Sequence, residues 1–158
     1  KEDIKKEKKL DAHNEADKII KPGGCKSPLF NPLNLTVKMS NNTPTYKDLE
    51  VVSNDYAFRD YVIKISIPEF NCVCPRTGLP DFGCINIEYR PNKYIVELKS
   101  LKLYIVKFRN LGVFHEHVTN KILEDFQKAC KPNSISVEGD FHPRGGIKTQ
   151  ILCGDDNV

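Results

Sequence analysis

The chain has 158 residues, 39% hydrophobic and 28% charged, with a formal net charge of +3. This suits one globular domain with a sizeable core plus a solvated segment, and no apolar run approaches the roughly 18 residues that a membrane span needs. The basic excess is mild and gathers near the N-terminus, which marks a solvated tail; a nucleic-acid reader concentrates its charge on a folded face.

Residues 1–50 read as a charged, partly disordered N-terminal extension. KEDIKKEKK is almost wholly charged, and KPGGCKSPLFNPLNL and MSNNTPTYKD are rich in Pro, Gly, Asn and Ser. One short helix is expected near 8–20. Leu29, Phe30, Leu33 and Leu35 form an apolar set suited to docking on the domain surface. The first ten residues lack the apolar centre of a secretory signal, so the expectation is a soluble, cytoplasmic protein. Residues 51–158 carry the domain.

In DYVIKISIPEF, Ile63, Ile65 and Ile67 alternate with Lys64 and Ser66, which predicts a strand. FGCINIEYR repeats the pattern, with Ile85, Ile87 and Tyr89 on one face and Asn86 and Glu88 on the other. YRPNKYIVEL turns at Pro-Asn and returns as a short extended piece. KSLKLYIVKFRNL puts Leu101, Ile105, Phe108 and Leu111 near helical spacing, with Gly112 as the expected C-cap. Phe114, Val118, Ile122, Phe126 and Cys130 recur every four residues, a second amphipathic helix stopped by Pro132 and Asn133. SISVEGDF and IKTQILC alternate again on either side of HPRGG. The order β-β-α-α-β-β predicts an α+β domain, an antiparallel sheet with two helices on one face.

The six cysteines are Cys25, Cys72, Cys74, Cys84, Cys130 and Cys153. An even number invites a disulfide framework, but the chain is not small and has periodic segments able to build a core. No C-x₂-C pair is matched by a second, so no metal site is expected. Cys84, inside a strand, and Cys130, ending a helical face, are expected to be buried small apolar residues.

Chemistry concentrates in EFNCVCPRTGLPDFG, the connection between the first two strands. A cysteine nucleophile needs access and a partner that manages protons. Cys74 precedes Pro75 and the Thr77-Gly78 turn, which exposes a side chain at a strand end, and Asp81 follows Pro80. On spacing alone, a buried thiol and a turn-capping aspartate are the better reading. Glu97, Lys99 and Lys102 sit at a strand-to-helix junction, His115 and Glu116 open the second helix, and Arg144 lies in a turn. Taken singly, the lysines read as a solvated face and the His-Glu pair as ordinary helix N-terminal charge.

Four ordered motifs carry a resemblance: CPRTGLPDF, ELKSLKLY, FRN-x-G-x-FHE and F-x-PRGG. From roughly Asp55 to Gln150 the chain resembles the QueF family of nitrile reductases, short single-domain type. The resemblance implies the tunnelling fold (T-fold) and reduction of 7-cyano-7-deazaguanine to 7-aminomethyl-7-deazaguanine with NADPH, in queuosine biosynthesis. It implies Cys74 as the nucleophile that forms a covalent thioimide and Asp81 as the proton source. It implies that Glu116 and His115 hold the purine-like base, that Val96, Glu97 and Leu98 line the same pocket, and that Lys99, Lys102 and Arg144 meet the cofactor's phosphates. Cys72 becomes a neighbour of the nucleophile, able to tune or protect it. It also implies a homo-oligomeric ring with active sites between subunits. The partner is then a small molecule, with no nucleic acid and no membrane. There is no G-x-G-x-x-G, so no Rossmann unit is expected.

Residues 1–50 match no part of that family. Three alternatives stand beside it. An archaeal amidinotransferase branch shares the Cys and Asp, but the intact ELKSLKLY argues against it. A GTP cyclohydrolase-like enzyme would want a zinc-binding His/Cys set. A non-enzymatic T-fold binding module would have no use for Cys74 and would bind RNA in a salt-dependent way.

Overall fold

The computed structural model describes residues 43–155; the short helix and the apolar docking set expected in the extension lie outside the described residues. A 3-10 turn (Tyr46–Asp48) and β1 (Val51–Ser53) lead to two long strands, β2 (Ile63–Val73) and β3 (Pro80–Arg90). Then come β4 (Tyr94–Val96), α1 (Leu98–Val106), α2 (His115–Cys130), β5 (Ser134–Arg144) and β6 (Ile147–Gly154). One antiparallel sheet runs β2-β3-β5-β6, and β1 pairs with β4 in a separate two-stranded ladder. The expected β-β-α-α-β-β order is that of the main sheet and its helices; the β1–β4 ladder is an addition to it.

Strand alternation sets the core. Asp81, Gly83, Ile85, Ile87 and Tyr89 of β3 all face inward and are buried. Ile135, Val137, Gly139 and Phe141 of β5 do the same. Val118, Ile122, Phe126 and Cys130 of α2 have no exposure at all, so this helix lays the expected stripe on the sheet. Tyr89 packs edge-on against Phe126, and Phe70 against Phe141. Burying side chains of this size contributes about 1.5–3 kcal/mol each.

Two bulges break the alternation. The β2–β3 register shifts between Ile67 and Phe70, where Pro68 has no N–H to offer the ladder. The inward set therefore passes from odd positions (Ile63, Ile65, Ile67) to even ones (Phe70, Cys72). β5 shifts likewise between Phe141 and Arg144 before the Gly145-Gly146 turn, whose φ values of 57° and 81° require glycine. A bulge re-aims the side chains beyond it, and both bulges lie at the same end of the sheet.

Three expectations are corrected. Cys130 is buried as expected, but Cys84 is only half-buried. It lies on the polar face of the sheet, its sulfur 3.4 Å from the Ser66 hydroxyl and from Asn86 Oδ1. Its parity is that of Asn86 and Glu88, and in a half-covered strand parity outranks residue type. Gly112 does not cap α1. The helix ends at Val106, and three successive i→i+3 bonds (Lys107 to Tyr104, Phe108 to Ile105, Arg109 to Val106) tighten the chain out of it. Gly112 instead bridges Val73, flanked by Val73 N–H to Leu111 O and Val113 N–H to Val73 O, both 3.0 Å. Arg144 ends β5 and is not itself one of the two turn residues.

Among the described residues no helix is long and apolar enough to cross a membrane.

Candidate functional site

The end of the sheet where β2 stops, β3 and α2 start and β5 stops collects Cys72, Cys74, Asp81, His115 and Arg144. Cys74 is the first residue past β2. Its N–H donates to Leu79 O and its carbonyl accepts from Gly78 N–H, both at 2.9 Å, so the turn is closed around it. Gly78 sits at φ 71°, open to glycine at no steric cost. The thiol is held below its ordinary range, first by the Thr77 hydroxyl and then by the Arg76 and Thr77 backbone N–H groups, while burial and Asp81 oppose this. Donors aimed at a sulfur stabilise the thiolate, the nucleophilic form. Cys72, two residues earlier, is fully buried, and burial with the nearby Asp81 pushes its thiol up to about 12. One cysteine is therefore poised and its neighbour is inert.

Replacing Thr77 with valine should move the pH midpoint of iodoacetamide alkylation of Cys74 upward, toward that of an ordinary thiol. Mass spectrometry of the Cys74 peptide across pH reads this directly. An unmoved midpoint would leave the backbone N–H groups as the whole cause.

Asp81 pairs in register with Cys72 and is 3% exposed. Arg144 Nη1 donates to Asp81 Oδ1, an ion pair linking residues 63 apart in the chain. His115 Nε2 lies 3.4 Å from the same oxygen. The His115 ring stacks on Phe141 with centroids 3.8 Å apart and planes 3° from parallel, which fixes its orientation. Gly139 makes room beneath, since a Cβ there would meet Thr119 Oγ1 at 2.5 Å.

The β4–α1 junction forms a second set. Val96 is buried, its N–H donating to the Tyr89 hydroxyl at 3.3 Å. Glu97 is the N-cap of α1: its two carboxylate oxygens accept from Lys99 N–H at 2.8 Å and Ser100 N–H at 2.6 Å. These bonds hold its carboxyl below the usual range. Leu98, Lys99 and Lys102 are exposed, and neither lysine Nζ is in a salt bridge among the described residues. Glu116 is exposed in the first turn of α2, its carboxylate likewise without an ion pair among the described residues. Among the described residues, Cys74 and Asp81 make no hydrogen bond, ion pair or ring contact with Val96, Glu97, Leu98, Lys99 or Lys102.

Sequence reasoning missed Thr77 as a thiolate donor, the His115–Phe141 stack and the Arg144–Asp81 pair. Thr77 and Phe141 both stood inside the motifs, but residue type alone gives no direction for a hydroxyl or a ring. No group of three or more His, Cys, Asp and Glu side chains among the described residues is placed to hold a metal ion.

Fold and site together define a T-fold domain with an activated thiol at a strand end and a buried, ion-paired carboxylate beside it. A family model described as QueF-like protein matches residues 80–157. The NADPH-dependent 7-cyano-7-deazaguanine reductase of Chloroherpeton thalassium is 55% identical over 105 residues, covering 66% of this chain and 90% of that protein. The enzyme of the same name from Aquifex aeolicus is 51% identical over 108 residues, covering 68% and 84%. A crystal structure of the archaeosine synthase QueF-Like in the apo form matches with TM-score 0.56 at 18% identity, over 61% of this chain and 95% of that one, which shows the fold alone. The chain belongs to the QueF family.

Proposed function

We propose that this protein is an NADPH-dependent nitrile reductase that converts 7-cyano-7-deazaguanine to its 7-aminomethyl product, the nitrile step of queuosine biosynthesis. The observation that carries this is the activated Cys74 thiol beside the buried Asp81 carboxylate, in a chain 55% identical to a protein of that name.

The Cys74 thiolate adds to the nitrile carbon. A C–S bond forms, one C≡N π pair moves to nitrogen, and the proton given up by the Cys74 thiol is taken by the Asp81 carboxylate and passed to that nitrogen, giving a thioimide. Splitting one hard reduction in this way is what covalent catalysis provides. Glu116 is free to accept from adjacent N–H groups on a guanine-like edge, a paired and charge-assisted contact. His115, locked on Phe141, borders both that edge and Asp81. Val96 and Leu98, with Glu97 holding the turn between them, would line the pocket.

The donor set fits a phosphorylated dinucleotide. Lys99 and Lys102 place two exposed ammonium groups in the opening turns of α1, at the positive end of the helix, and Arg144 adds a guanidinium. NADPH, when bound, would supply two hydrides, one per molecule; between them the C–S bond breaks and returns the Cys74 thiolate, so that the nitrile carbon ends as the free amine's carbon. That Glu97 and the residues beside it make no bond to Cys74 or Asp81 within one chain is consistent with a site completed between subunits of a homo-oligomer, with Glu97 and Cys74 from different copies.

Mixing the reduced protein with 7-cyano-7-deazaguanine, without NADPH, should add the whole nitrile mass and change the absorbance. NADPH oxidation should follow on its addition. An adduct without NADPH oxidation would favour an amidinotransferase-like activity on the same nitrile. No adduct with folded, assembled protein would defeat the proposal. Lys99→Ala should chiefly raise KM for NADPH, by about tenfold for one lost phosphate contact, and leave the adduct intact.

A further inference from the structure

Phe141 is the last residue of β5 in register with its neighbours before the bulge, opposite Gly83 on β3 and Thr149 on β6. Its ring fills the space of two missing side chains. A Cβ on Gly83 would come to 3.0 Å from ring atom Cδ1, and one on Gly139 to 2.8 Å from Cε2. Those two carbons are opposite corners of the ring, so the ring spreads flat over both glycines. Glycine inside a strand marks this kind of close approach, and an aromatic ring is a usual cover for it. Phe70 meets the same ring edge-on, with centroids 6.2 Å apart. The other face carries the His115 ring, 3.8 Å away and 3° from parallel.

The backbone of His115 is fixed separately. Thr119, which has no exposure, donates its hydroxyl to the His115 carbonyl at 2.9 Å. It fits against β5 because Gly139 has no Cβ, which would stand 2.5 Å from Oγ1. The imidazole itself has one polar contact among the described residues, Nε2 to Asp81 Oδ1 at 3.4 Å. A single contact that long does not set the plane of a ring. The stack on Phe141 does. A core phenylalanine needs only volume, but a ring laid between two glycines and an imidazole needs to be flat.

We propose that Phe141 is a positioning residue for the reaction. Acting through His115, it keeps the imidazole edge on Asp81, and so keeps the carboxylate where the proton passes from the Cys74 thiol to the nitrile nitrogen. This role rests on the reductase reading above.

Phe141→Leu tests it, because leucine keeps an apolar side chain of similar size and removes the plane. The reduced full chain is mixed with saturating 7-cyano-7-deazaguanine without NADPH, and adduct mass is followed in time. Adduct formation should slow by about tenfold to a hundredfold, the scale that a displacement of about 1 Å costs. The pH midpoint of Cys74 alkylation should not move, since the Thr77 hydroxyl and the turn around Cys74 lie outside the stack. The deciding comparison is made in His115→Ala protein. There Phe141→Leu should bring no further slowing, because the ring has nothing left to orient. Phe141→Met gives the same pair of comparisons if the leucine variant does not fold.

Equal rates for wild type and Phe141→Leu would overturn the positioning role and leave the reductase reading standing. So would the same slowing with and without His115, since a ring that serves only the packing of the sheet slows both proteins alike. Folded, reduced wild type that forms no adduct would overturn the reductase reading and this role with it.

Discussion

Cys74→Ala protein should form no adduct with 7-cyano-7-deazaguanine and oxidise no NADPH above background. Losing a covalent nucleophile costs on the order of 10⁶-fold in kcat in well-measured enzymes, so activity should fall below detection. No neighbour can substitute. Cys72 is buried on the inner face of the sheet beside β3, and its thiol is pushed up to about 12, so at neutral pH it offers almost no thiolate. Cys84 faces the other side of the sheet, and Cys130 lies at the far end of α2 with no exposure. Cys74 itself stands on a surface turn held by backbone bonds to Leu79 and Gly78, so its truncation should change stability by no more than about 0.5 kcal/mol. Intact mass after incubation with the nitrile, beside a thermal melt, separates lost chemistry from lost fold. Normal NADPH oxidation by the alanine variant would end the covalent mechanism.

The scaffold was legible where period and burial coincide. Ile85, Ile87 and Tyr89 in β3, and Val118, Ile122 and Phe126 in α2, are buried by the alternation and the four-residue spacing that predict them. Residue type misled where it competed with position. Cys84 reads as a buried thiol because cysteines usually are, yet its place beside Asn86 and Glu88 puts it outside. Gly112 reads as a cap, but it lies against the end of β2, bridging Val73, where a Cβ would make only ordinary 3.7 Å contact with Pro75. Glu97 is the reverse case. Glutamate is not among the favoured N-caps, so nothing in its type announced that its carboxylate would close α1. The site was half legible. Cys74 and Asp81 stand on either side of one turn, seven residues apart, so a motif can hold both. The Arg144–Asp81 pair spans two strands and depends on a bulge that shifts Arg144 out of the alternation, and no local pattern encodes that.

Asp81→Asn should keep some adduct formation and lose turnover, by about 10² to 10⁴ in kcat, the usual worth of a positioned general acid. Asparagine has the same shape, and its carbonyl oxygen still accepts from Arg144, so His115, Arg144 and the Cys74 turn stay in place. What it lacks is an oxygen able to take and release a proton. Thiolate addition to the nitrile needs one proton on nitrogen, which water can supply slowly at the solvent-facing end of the site. Completing the amine needs further protons at the same nitrogen once the dinucleotide also covers the site, where water is no ready substitute. The two readouts therefore separate. Adduct mass should accumulate over minutes while NADPH oxidation stalls, and KM for NADPH should not rise. If both adduct formation and KM collapsed together, Asp81 would be a structural partner of Arg144 and not the proton donor. If kcat were unchanged, the donor would have to be sought among the other groups around the same oxygen, His115 first.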